Sequence, residues 1–100
     1  MNIHVSEEAA KWYRKELELR EGDSIRFFAR YSNTSPIHPG YSLGISVEQP
    51  KHPGFRTEAG GLTFFMEEHD LWYLRGYRLN VKYLDSIDDI DYVYEEEAEA

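Results

Sequence analysis

Apolar and polar residues alternate with a period of two along most of the chain, and only one stretch carries a helical period. Ile3 and Val5 alternate with polar neighbours and predict a short opening strand. Ser6 then stands as a helix N-cap, and Glu7 and Glu8 place negative charge at the positive end of the helix it opens. Ala9, Tyr13 and Leu17 recur every four residues with Ala10 beside them, so the helix has one stripe predicted to be buried. Glu16 and Arg20 are spaced to pair on its wet side, and Gly22 supplies the stop.

Ile25, Phe27, Ala29 and Tyr31 form one face of the next predicted strand, with Arg26, Phe28 and Arg30 on the other. Tyr41, Leu43, Ile45 and Val47 repeat the apolar face, and their alternates Ser42, Gly44 and Ser46 are all small. Such a face lets something approach closely, and packing within the chain is the simplest occupant. "EQPKHPGF" reads as a surface turn, and "FRTEAGGLTFFM" as a hairpin bent at Gly60 and Gly61. "EEHDLWYL" suits one or two helical turns, with Glu67 and Glu68 complementing their N-terminus and His69 in solvent. Leu79, Val81 and Tyr83 mark a further strand, Ile90, Tyr92 and Tyr94 a last one, and the like-charged residues of about 95–100 are expected to fray. The order predicts an α+β, mostly-β domain over residues 1–100: an N-terminal helix packed on a mixed or antiparallel sheet, with one short second helix.

Charge narrows the partners. Eleven Lys and Arg against 19 Asp and Glu give a net charge of −8, which repels nucleic-acid phosphates and anionic membranes. Arg26, Phe28 and Arg30 alternate as on a single-strand nucleic-acid platform, but cross-strand pairing with glutamates or arginine stems packed over the aromatic ring is the expectation at this charge. No apolar run is long enough to span a membrane, and "MNIHVSEEAAKW" lacks an export signal, so a cytoplasmic location is expected. There are no cysteines, which removes disulfides, thiolate metal ligands and a cysteine nucleophile together.

Ile3-His4-Val5-Ser6-Glu7-Glu8-Ala9-Ala10 opening a helix, a strand with a polar loop, and "FRTEAGGLTFFMEEHDLWYLRGYRLNVKY" together resemble the HesB/IscA-like family, the A-type iron-sulfur carriers and their relatives, over roughly Ile3 to Tyr83. Leu74-Arg75-Gly76-Tyr77-Arg78-Leu79 is similar to that family's Leu-x-Gly-x-x-Leu element. The resemblance implies a HesB-like domain with a ligand position in the loop "SNTSPIHPG" and a Cys-x-Cys pair near the C-terminus. Counting forward from the preceding strand puts the loop ligand near Thr34, and counting back from Gly40-Tyr41 puts it at His38. "SIDDIDYVYEEE" offers only carboxylates and tyrosines for the pair, and cluster iron selects thiolates. The implied role is therefore a cysteine-free, non-enzymatic binding or adaptor protein around iron-sulfur assembly, with a protein partner or a homodimer and no cofactor.

Thr34, Ser35 and His38 form the candidate altered ligand site, which could alternatively hold a metal or small molecule around His38. His38, with His4, His69 or His52 and the aspartates Asp85, Asp88, Asp89 and Asp91, has the chemistry for a mixed metal site but no motif spacing. Ser35 and His38 are the one nucleophile–base pair close in sequence, and Pro36 and Pro39 explain that stretch as a shaped turn without a reaction. Phe64, Phe65, Trp72, Tyr73 and Tyr77 are expected in the core, whereas Trp12, Phe28 and Phe65 fall opposite the main apolar pattern and need cover from a helix or a partner.

Overall fold

The computed structural model describes residues 1–97. Strand β1 (Asn2–Val5) leads through Ser6 into helix α1 (Glu7–Glu16), and the Ser6 hydroxyl accepts the Ala9 N–H at 3.1 Å as an N-cap. The helix ends one turn earlier than the sequence suggests. Glu18, at φ 52, takes the left-handed position, while the Leu19 N–H bonds Arg14 O at 2.8 Å and the Glu18 N–H bonds Lys15 O at 3.3 Å, a Schellman closure. Gly22, predicted as the stop, lies in the following turn and donates to Gly61 O at 2.7 Å. Leu17 consequently leaves the buried stripe, at 39% exposure, and Arg20 falls outside the helix, its N–H bonded to Asp23 instead of its side chain reaching Glu16.

The strands β2 (Ser24–Tyr31), β3 (Tyr41–Val47), β4 (Pro53–Ala59) and β5 (Leu62–Glu67) form one mixed sheet in the order β3-β2-β5-β4. β6 (Tyr77–Leu84) and β7 (Asp89–Glu96) join β1 in a second mixed sheet, order β1-β6-β7. The pairs β1/β6 and β2/β5 are parallel and the others antiparallel. A 3-10 helix, Glu68–Leu74, links the sheets. This is a mostly-β α+β fold with an N-terminal helix and a short second one, built on two sheets.

Ile3, Val5, Leu79 and Val81 from one sheet, Ile25, Phe27, Phe64 and Met66 from the other, and Ala9, Ala10 and Tyr13 from α1 make one continuous core. Gly60 and Gly61, at φ 56 and 80, form the β4–β5 bend, and Gly60 lies so close to α1 that a side chain there would strike Ala10. Glu95 and Glu96 continue β7 and the Glu97 N–H bonds Gly76 O at 2.9 Å, so the acidic end expected to fray is held at least this far; residues 98–100 of that expectation lie outside the described residues. Among the described residues no helix is long and apolar enough to cross a membrane.

β3 is an edge strand, which changes its burial. Ile45 and Val47 keep the predicted side but are 37% and 52% exposed. The small face opposite is filled from within: the Phe28 ring lies over Gly44, where a Cβ would meet it at 2.6 Å, and the Arg26 guanidinium lies 5.2 Å from that ring. Of the rings expected to need cover from a helix or a partner, Phe65 is fully buried within the chain, Phe28 packs on Gly44, and Trp12 is partly buried with its indole N–H bonded to Asp88 O at 2.9 Å.

Candidate functional site

The loop between β2 and β3 is stitched by its own polar groups. The Ser32 N–H donates to Gly40 O at 2.9 Å, the Thr34 N–H to the Ser32 hydroxyl at 3.1 Å, the Gly40 N–H to the Ser35 hydroxyl at 2.8 Å, and the Tyr41 N–H to His38 O at 3.1 Å. Gly40, at φ 82, makes the return that a residue with a Cβ would resist. Ser35 thus serves as a main-chain acceptor, and Thr34 and Ser35 are both exposed.

His38 takes a different direction. Its ring is half-buried between Trp72 and Tyr73, with centroids 5.4 and 5.5 Å away, and its Nε2 is enclosed without a hydrogen-bond partner. Tyr41 meets Trp72 edge-on at 5.1 Å, and Tyr31, its cross-strand partner, lies 5.0 Å from Tyr41. Tyr73 is fully buried, which pushes its phenol up from the ordinary value, with Tyr94 acting in the opposite sense. The result is a graded aromatic surface: Tyr73 and His38 beneath, Tyr41 and Trp72 at the rim, Tyr31 outermost at 84% exposure. Rings of this kind give large contact area at small conformational cost, which is why Trp and Tyr dominate protein-binding hot spots.

Thr34, Ser35 and His38 therefore share a loop but not a common point of contact, and Ser35 makes no hydrogen bond to His38. The sequence assigned Trp72 to the core and Tyr31 to a strand face. The tyrosines flanking the loop were a signal for the Tyr31–Tyr41 pair, which the observed register places opposite each other, but nothing local joined Trp72 to them.

A polar cluster lies behind the aromatic rim. Arg26 Nη2 donates to Asp70 at 2.9 Å and lies 3.1 Å from His69 Nε2, while Nη1 is 3.4 Å from Glu48. Hydrogen bonding from the Ser46 hydroxyl, with the Arg26 charge, holds the Glu48 carboxyl below its ordinary value. Asp70 is 6% exposed, so the pair pins the 3-10 helix to β2. Glu67, expected to serve that helix's N-terminus, points its carboxylate back to accept the Lys51 and His52 N–H groups. His69 is solvated, as its sequence context suggests. Among the described residues no three His, Asp or Glu side chains gather as metal ligands, the histidines and aspartates considered for a mixed site included.

Fold and surface together define a small α+β domain with a partly exposed aromatic surface. No protein-family model matches the chain. It is 42% identical over 95 residues, 95% of its own length and the whole of the relative, to the pyruvate dehydrogenase inhibitor of Bacillus subtilis (strain 168). It is also 36% identical over 95 residues to an uncharacterised protein of Staphylococcus saprophyticus, and 32% over 96 residues to one of Staphylococcus aureus (strain USA300), in each case over 92% of this chain and 97% of the relative. The chain belongs to the family of the Bacillus subtilis pyruvate dehydrogenase inhibitor.

Proposed function

We propose that this protein is a non-catalytic regulator that binds pyruvate dehydrogenase through the surface of Tyr31, Tyr41 and Trp72 and lowers its activity. The 42% identity to a relative named as an inhibitor of that enzyme, over the relative's whole length, carries the reading. The exposed aromatic rim supplies a contact face of fitting chemistry. The test adds purified protein to the Bacillus subtilis pyruvate dehydrogenase complex and follows NADH formation, with co-sedimentation as a binding readout. Inhibition is expected, weakened by Trp72→Ala about 10-fold or more, as for a hot-spot residue. Neither inhibition nor co-sedimentation would overturn the target; inhibition indifferent to Trp72→Ala and Tyr31→Ala would overturn the surface.

We read the scaffold as HesB/IscA-like without its thiolates, so that a role beside iron-sulfur assembly would be an adaptor's. Support comes from the strand–helix opening, the polar loop after β2 and the Leu74 to Leu79 turn, where Gly76 has φ 83. A stable cluster formed on anaerobic addition of iron and sulfide would refute it. One observation favours a ligand at the loop as a second reading: the enclosed, unpartnered His38 Nε2. Native mass spectra of the untagged protein would then carry extra mass that His38→Ala loses; spectra of bare chain would remove this reading.

A further inference from the structure

Among the described residues, each sheet edge but one carries a device that discourages pairing. β1 is only 4 residues long, β4 opens with Pro53 and has a register shift before Phe55, and β7 carries Asp89, Asp91, Glu95 and Glu96. β3, Tyr-Ser-Leu-Gly-Ile-Ser-Val over 7 residues, has no charge, no proline and no bulge, and Ile45 and Val47 stand partly in water.

The main-chain parity of β3 is also defined. The Ser32 N–H bonds Gly40 O in register with β2, so by the alternation of the ladder Ser42, Gly44 and Ser46 turn their amides toward β2, and Leu43 and Ile45 turn theirs outward, away from the other described strands. The sequence of this edge is nearly palindromic about Gly44. Laid antiparallel on its own copy, Leu43 falls opposite Ile45, Ser42 opposite Ser46, Tyr41 opposite Val47 and Gly44 opposite itself. Apolar meets apolar on one face and small meets small on the other. The outward amides of Leu43 and Ile45 then exchange hydrogen bonds with those of the second copy, and no charge within β3 opposes another.

We infer that β3 pairs with β3 of a second copy across a twofold axis at Gly44, joining the two four-stranded sheets into one continuous sheet. This inference does not depend on the pyruvate dehydrogenase reading, and its test contains no pyruvate dehydrogenase. With a net charge of −8 on each copy, association is expected to strengthen as salt rises from low to physiological concentration.

Sedimentation equilibrium of the untagged chain over a wide concentration range is expected to reach twice the 11.8 kDa chain mass. Ile45→Pro removes an outward N–H and no β2 bond, so it is expected to keep the far-ultraviolet spectrum and sediment as a monomer. Should that variant fail to fold, cysteines decide the matter in a chain that has none of its own. Ser42→Cys with Ser46→Cys is expected to crosslink between copies on mild oxidation, because about 13 Å of strand separates the two positions within one copy. Each single variant is expected to crosslink far less. A monomer at every concentration, a dimer indifferent to Ile45→Pro, or equal crosslinking by the single and double variants would each overturn the inference. So would protection of the β3 amides from exchange only when a different protein is added.

Discussion

Gly44 and Phe28 offer a stability test whose sign reverses with background. In Gly44→Ala the new methyl would sit 2.6 and 2.8 Å from two ring atoms of Phe28 and 3.1 Å from Arg30 Cδ. Carbon atoms prefer about 3.5–4.0 Å, so the ring must withdraw by about 1 Å from the face it covers. Overpacking of this size costs about 1–3 kcal/mol, against a gain of about 0.5–1 kcal/mol from replacing a strand glycine by alanine. The net expectation is a loss of about 1–2 kcal/mol, lowering the melting temperature by roughly 4–8 °C for each kcal/mol in a domain of this size. With Phe28→Ala already in place the ring contacts are gone and only the flexible Arg30 stem has to give way, so adding Gly44→Ala is expected to stabilise by about 0.5–1 kcal/mol. Urea unfolding of the four proteins, followed by far-ultraviolet circular dichroism at one low concentration, closes the cycle. An equal cost for Gly44→Ala in both backgrounds would refute the packing argument and attribute the effect to the backbone alone.

Glu18→Gly relieves the left-handed strain at φ 52 and should stabilise by about 0.5–1 kcal/mol; a lower melting temperature would show that the Glu18 side chain outweighs the strain. Asp70→Ala strips the 2.9 Å partner from Arg26 and should cost about 3 kcal/mol, near the lower end for a broken buried pair because Glu48 remains beside the guanidinium; a cost below about 1 kcal/mol in urea unfolding would reclassify the pair as a surface one. Burial raises the phenols of Tyr13, Tyr92 and Tyr94 above the ordinary 10.0, so their neutral forms favour the fold, fully so below pH 10, and that contribution is lost as pH rises from there through the raised values. Alkaline unfolding monitored by tyrosinate absorbance should therefore set in above about pH 10 and move higher in Tyr13→Phe with Tyr92→Phe, an unchanged onset counting against the linkage.

What the sequence made legible was local. Ser6 capping α1, the Gly60-Gly61 bend and the alternation through β2 and β6 each depend on residues within a few positions of one another, and they appear where the pattern put them. Leu17 left the stripe because a four-residue spacing does not say when a helix ends; Glu18 accepted a conformation that the sequence reserved for Gly22. Ile45 and Val47 kept their side but not their burial, since the periodicity of a strand carries no mark of edge position. The site was harder still. Trp72 reaches Tyr41, and Arg26 reaches Asp70 across 44 positions, only because the 3-10 helix folds back on β2; nothing near either residue announces its partner. The loop itself was recognised, together with its histidine, while the surface it helps to build depended on long-range topology.

The parallel pairing of β1 with β6 sets an order for events during synthesis. Residues 2–5 leave the ribosome before the rest of the fold, yet the strand they pair with lies at 78–81, while β2–β3 and β4–β5 can zip as neighbours much earlier. Until β6 emerges, Ile3 and Val5 have no sheet to join and the apolar stripe of α1 lacks much of its cover. The nascent chain is thus a half-finished sandwich with a waiting first strand, and a translational pause before β6 would prolong its exposure to chaperones and to other nascent chains.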